Sequence, residues 1–293
     1  MNVRLIQDLT AAEVIWKELV PTTTIFTDWK FRRAFFEPWK FALEFYVLQD
    51  AGENTGLLPL QFNTKKNLLE FFGGGYMEDN GIFMKAGYEE AKTELLAAVK
   101  KPCRLEYLKE DHPEKFHLQI NDTKFTLNIS GCHNLQEALT PIWDAKKLGD
   151  LKRKIRKIEA QSVQITENNL NDLELLFVLN KKAFPDSSFN EPFREEVFKE
   201  LTRLYREDLH LLTFEINGVK QAVSLAINFN GYYEYFNAGV NKEINNLGSF
   251  VIAKNIETAT RLGAQIFDAF TQESGWKSRW HFTATPEYCL TLP

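Results

Sequence analysis

The sequence predicts a mixed α/β fold (an α+β arrangement around a mixed sheet) built from two related halves, and three observations carry that expectation. At 293 residues with 44% hydrophobic content, the chain can bury two ordinary cores. A strand, turn, strand, turn, strand order occurs twice at similar lengths, over 43–72 and 209–240. Segments of helical period lie between these meanders. The halves are expected at 1–140 and 141–293.

In order along the chain, "DLTAAEVIWKELV" (8–20) offers a cap at Asp8 or Thr10 and apolar residues at helical spacing, with Pro21 closing the segment. "TTTIFTDWKFRRAFFEPWK" reads as a second, aromatic-rich helical piece broken near Pro38. "LEFYVLQ", "LLPLQFN" and "LLEFF" then alternate with turn-rich "DAGENTG" and "TKKN", which gives the first meander. A basic helix is predicted over "PIWDAKKLGDLKRKIRKIEAQ", with Leu148, Leu151, Ile155 and Ile158 on one face. A strand near 163–166, a helix over "NDLELLFVLNKKAF" and another over "EPFREEVFKELTRLYRE" follow. The second meander is "LHLLTFEI", "QAVSLAINF" and "YYEYFNAGV", reversed at "NGVK" and "NG". A helix from about Gly248 to Leu262, the strand "AQIFDAF" and a closing strand near "HFTATPEYCLTL" complete the chain.

A net charge of -5 argues against a protein that coats nucleic acid over its whole surface. The N-terminal residues lack the pattern of a secretory signal, no apolar run approaches a membrane span, and three scattered cysteines make a poor disulfide framework. These features predict a cytoplasmic protein without a membrane span. Cys132-His133 has no partner at metal-ligand spacing, and His112 with His117 is an i, i+5 pair in a charged loop, so no metal is expected.

Several segments admit two readings. Phe72-Gly73-Gly74-Gly75-Tyr76 resembles a phosphate cradle, but no Lys-Ser/Thr pair follows, which favours a strand end or a close backbone approach. Asp79 either lines a cleft or sits in a turn. The cations of the basic helix, Lys146 to Lys157, form either a solvated face or a docking strip for the phosphates of a coenzyme or a tRNA. In "QAVSLAINF" one face carries only Ala222, Ser224, Ala226 and Asn228, small enough for a helix or a ligand to approach closely. The helix beginning at Asn246-Leu247-Gly248-Ser249 either binds an anion at its unpaired N–H groups or is simply capped by asparagine.

The sequence of basic helix, paired helices, meander ending "YFNAGVN", Gly-led helix, and Asp268 followed by Trp276, Lys277 and Trp280 resembles the GNAT-fold acyltransferases of the CelD-like and FemAB-like group. That resemblance implies two tandem GNAT-like domains. It implies an acyl-CoA co-substrate with its pyrophosphate at Asn246, Leu247, Gly248 and Ser249, and an acceptor end shaped by Asp268, Trp276, Lys277 and Trp280. The group's usual pyrophosphate signature, Gln/Arg-x-x-Gly-x-Gly/Ala, falls on Glu243 to Gly248, and of it Gly248 is present. Gln272 and Trp276 stand where the group usually has glycine and tyrosine.

Acyl transfer to an amine requires a neutral nucleophile and a proton for the departing group. Tyr235 is the candidate acid, Glu234 or Asp268 acting through water the candidate base, and Lys277 an electrostatic clamp. The structural alternatives are a core aromatic for Tyr235 and an Asp268–Lys277 ion pair. Three functions are expected to compete: an acyl-CoA-dependent N-acyltransferase acting on a small or peptide amine, an aminoacyl-tRNA-dependent transferase of the same fold, and a binding module that has lost its donor site.

Overall fold

The computed structural model describes residues 1–110, 113–273 and 275–293. Its contacts divide the chain into two compact units, residues 1–123 with 285–293, and residues 124–284. This division differs from the expected boundary at 140/141, because strand pairing and not chain order decides which unit a segment joins.

The first unit opens with strand β1 (Asn2–Ile6) and helix α1 (Leu9–Leu19). Asp8 caps α1, its carboxylate accepting from the Ala11 N–H at 2.8 Å. Helix α2 (Trp29–Phe36) is capped in the same way by Asp28. Strands β2 (Ala42–Asp50), β3 (Glu53–Asn63) and β4 (Leu68–Phe71) form the expected meander, and the short β5 (Phe83–Met84) pairs with β3. Helix α3 (Lys92–Ala98) leads to β6 (Cys103–Leu108). Further along come β7 (Gln119–Asn128), which begins in the first unit and ends in the second, and β13 (Thr283–Leu292), whose last residues belong to the first. The order in the first unit is β1-β2-β3-β4-β6-β13, with β4 and β6 parallel and the other neighbours antiparallel.

The second unit contains α4 (Leu135–Leu139), α5 (Ala145–Glu159), β8 (Val163–Glu167), α6 (Leu173–Ala183), α7 (Pro192–Leu204), β9 (Leu209–Ile216), β10 (Val219–Phe229), β11 (Tyr232–Val240), α8 (Leu247–Arg261) and β12 (Ile266–Asp268). Its order, β8-β9-β10-β11-β12-β7, repeats that of the first unit, again with one parallel pair, β11 and β12. The two Asn-Gly reversals in this unit place Asn217, Gly218, Asn230 and Gly231 at positive φ, the conformation a two-residue hairpin loop demands. The structure therefore has the expected mixed α/β class and the expected duplication.

In the second unit, helices cover both faces of the sheet. Helix α8 lies on the small-residue face of β10, where Asn255 Nδ2 donates to Ser224 Oγ at 2.9 Å and Asn255 Oδ1 accepts from Tyr233 OH at 2.9 Å. A helix, not a ligand, therefore explains that run of small side chains. Helix α6 covers the other face, where Gly239 is required: a Cβ there would lie 2.6 Å from the Leu176 carbonyl oxygen and 2.9 Å from the Asn180 nitrogen.

Candidate active site

The parallel strands β11 and β12 pair only at Tyr232↔Ile266, Tyr233↔Phe267 and Glu234↔Asp268. Strand β12 then ends, while β11 continues to Val240. A bulge at Phe236 accompanies the parting, since Leu225 faces Asn237 and the next residue, Ala226, faces Tyr235. From Tyr235 on, β11 has no strand partner on its β12 side among the described residues. Parallel neighbours that part in this way form a notch in the sheet, a usual seat for an extended ligand.

Helix α8 follows β11 in the chain. Asn246 precedes it in the left-handed conformation (φ 69°) and provides no side-chain cap. Its N–H groups therefore lack the usual side-chain acceptor, which is the arrangement that receives an anion. Leu247 is buried in the core, and Gly248 faces open space. These are the four residues the sequence assigns to the donor.

At the parting point the sheet buries charge. Register partners on adjacent strands share a face, so Glu234 on β11 and Asp268 on β12 lie side by side, both fully buried. Lys124 of β7, two residues beyond Asp268's partner Thr126, reaches Asp268 Oδ2 with its Nζ at 2.9 Å. Asp268 Oδ1 accepts from the Phe270 N–H at 2.8 Å. Burying a lone charge costs several kcal/mol, so a lysine that is 4% exposed is tolerable only beside a carboxylate.

Lys277 lies elsewhere. The Asp268–Lys277 ion pair considered from the sequence is replaced by Asp268–Lys124, and Lys277 Nζ donates instead to the carbonyls of Phe270, at 3.1 Å, and Thr271. Phe270 and Gln272 both adopt positive φ, so this loop is folded tightly around the buried ammonium.

Tyr235 follows Glu234 and points to the opposite face of the sheet, where its ring meets Phe267 at 5.4 Å and the edge of Trp276 at 6.2 Å. Burial pushes its phenol well above the ordinary tyrosine range. Trp280 is 5% exposed and packs on Trp143 at 5.0 Å, whose indole N–H donates to the Trp280 carbonyl at 2.8 Å. The sequence-derived set thus splits: Glu234 and Asp268 on one face, Tyr235 and Trp276 on the other, Lys277 in the loop, and Trp280 in the core.

Lys124 is the residue that sequence reasoning missed. In "TKFTLN" it alternates with Phe125 and Leu127, and a lysine opposite an apolar face ordinarily points to water. The one signal was the buried Asp268, which demanded a cation that local spacing could not locate. Among the described residues no group of His, Cys, Asp and Glu could hold a metal, and His112 lies outside them. No described helix is long and apolar enough to cross a membrane.

Residues 145–278 match a family model described as an acetyltransferase (GNAT) domain. No curated protein matches the chain by sequence. Solved structures similar in fold include FemX (TM-score 0.61, 10% identity, covering 100% of this chain and 98% of that one) and a tandem GNAT protein from the clavulanic acid biosynthesis pathway (0.60, 10%, 99% and 98%). L-PGS from Bacillus licheniformis is a third (0.59, 10%, 97% and 91%). The matched segment includes α5 to α8, the meander and the β11/β12 opening. Residues 145–278 thus match the acetyltransferase (GNAT) domain model, in a chain whose fold is similar to that of a tandem GNAT protein.

Proposed function

We propose that the protein is an N-acyltransferase that moves an acyl group, acetyl in the simplest case, from an acyl-CoA thioester to an amine while both are bound. The observation that carries this reading is the parting of β11 from β12 beyond Glu234, followed by a helix, α8, that starts without a side-chain cap. A donor laid along β11 would bring its phosphates to the turn Asn246, Leu247, Gly248 and Ser249, where the Leu247 N–H already donates to the Ile244 carbonyl at 3.2 Å and the N–H groups of Gly248 and Ser249 are the ones assigned to the anion. The carbonyl to be attacked then lies near the parting point.

Bringing the amine and thioester together supplies much of the rate, since effective molarities reach about 10⁵ M for well-oriented pairs. The amine nitrogen forms the new bond to the acyl carbon, the C–S bond breaks, and the nitrogen's proton must leave. Glu234 is assigned as its acceptor, directly or through water, because both oxygens of Asp268 are engaged by Lys124 and the Phe270 N–H. Asp268 and Lys124 position it. Tyr235, a phenol that holds its proton at neutral pH, is assigned to protonate the thiolate. Trp276 shapes the acceptor wall beside Tyr235, Lys277 holds the 270–272 loop, and Trp280 braces that wall from the core.

Calorimetric titration with acetyl-CoA tests the reading: saturable heat supports it, and a flat trace removes it. Glu234→Gln should lower turnover of an amine by about 10²-fold or more with the acetyl-CoA affinity unchanged. A second reading, an aminoacyl-tRNA donor, is favoured by the exposed Lys146, Lys152, Arg153, Arg156 and Lys157 on α5. Retarded migration of charged tRNA, with no heat from acetyl-CoA, would select it. Failure of both ligands would favour a binding module.

A further inference from the structure

A cleft of about 440 Å³ lies away from the β11 edge, between α4, α5 and α8. That volume is within the range of small-ligand sites, roughly 300–1,000 Å³. Its floor is apolar: Leu135, Leu151 and Ile155 are almost fully buried, and Leu148 is half-buried beside them. Its walls carry charge of both signs, and the arrangement is uneven.

At one end Lys254 is held between Glu159, at 3.1 Å, and Glu257, at 2.9 Å. Along the rim, one helical turn apart, Lys152 and Arg156 make no ion pair among the described residues. Lys152 Nζ donates to Gln136 Oε1 at 2.7 Å, and Arg156 Nε makes only a long 3.4 Å bond to the Lys152 carbonyl. Three cations against two carboxylates leave the lining with a single net positive charge, located at Lys152 and Arg156.

We propose that this cleft binds the carboxylate of a medium-chain fatty acid, with the head on Lys152 and Arg156 and the tail along Leu148 and Leu151. One unmatched positive charge suits a monoanion better than a dianionic phosphate, which Glu159 and Glu257 would repel. The apolar floor distinguishes this ligand from a nucleic acid, whose backbone offers no tail to cover leucines. From Leu148 to Arg156 the helix rises roughly 12 Å, the reach of an extended chain of about ten carbons. The site is independent of the acyl-CoA donor assigned above, and it shares Lys152 and Arg156 with the surface that the tRNA reading uses.

Calorimetry with sodium decanoate, below the concentration at which it forms micelles, tests the proposal. Saturable one-to-one binding is expected. Octanoate should bind roughly tenfold more weakly, since each buried methylene contributes measurably. The doubly substituted Lys152→Glu, Arg156→Glu protein should lose at least tenfold in decanoate affinity with its melting curve unchanged, because both side chains are exposed. Amide shifts of ¹⁵N-labelled protein should move at Gln136, Leu148 and Arg156. The proposal is overturned by absence of saturable binding, by an unaffected double variant, by equal binding of decyltrimethylammonium, or by tighter binding of decyl phosphate than of decanoate.

Discussion

Each unit has one pair of parallel strands, and the two pairs end differently. In the second unit β11 outruns β12, and the strand pairing between them stops at Glu234. In the first, β4 meets β6 at Leu69↔Cys103 and the chain departs through Gly73 and Gly74, both at positive φ, only to return. Asn80 then resumes the parallel pairing: its N–H donates to the Tyr107 carbonyl at 2.9 Å and its carbonyl accepts from the Lys109 N–H at 3.0 Å. The Asn80 side chain locks the return, donating to the carbonyls of Met77 at 2.9 Å and Glu106 at 2.8 Å. The helix that follows also differs, since α3 has seven residues and α8 has fifteen. One topology thus provides two notches, of which the first is refilled by its own chain. The glycine run that resembled a phosphate cradle is the excursion that refills it.

The comparison can be broken at its most costly point first. Replacing Lys124 with Met leaves the fully buried Asp268 without this cation, and should cost about 3–5 kcal/mol in denaturant unfolding. The double variant Lys124→Met, Asp268→Leu should recover much of that loss, whereas additive losses would deny the pair. Next in size is Gly239→Ala, whose Cβ would strike the α6 backbone and should cost about 1–3 kcal/mol.

A smaller, pH-dependent effect belongs to the first unit. Burial pushes the Cys103 thiol from 9.0 up to about 12. The unfolded thiol therefore loses its proton first, so this contribution to stability is intact below about pH 9 and falls as pH rises toward 12. Thermal melts across that window should decline less steeply in Cys103→Ala, and native Cys103 should resist alkylation at pH 8. The smallest expected change is Gly248→Ala, which meets open space in a helix and should leave the melting temperature the same or slightly higher. A large loss there would show that α8 begins differently.

Much of this architecture was legible because period and punctuation agreed. Asp8 and the Asn-Gly reversals mark their elements by local chemistry alone, and the face of α5 that carries Leu151, Ile155 and Ile158 is the buried one. No helix or strand is predicted from 77 to 134, where β6 and β7 lie, because their pairing partners are distant in sequence. β12 proved shorter than "AQIFDAF" because Phe270 turns to positive φ, a tertiary choice with no mark in the sequence. The site was half legible. Glu234, Asp268 and Gly248 carried local cues, whereas the burial of Lys124 and the placement of Tyr235 on the opposite face follow from register alone.

The account rests on the second notch being the one that receives the donor. Amide shift changes on titrating ¹⁵N-labelled protein with coenzyme A measure this directly. Changes concentrated in Tyr235–Val240 and Leu247–Ser249, with Gly73–Asn80 unmoved, are the predicted result. Changes centred on Gly73–Asn80, or none at either place, would contradict it.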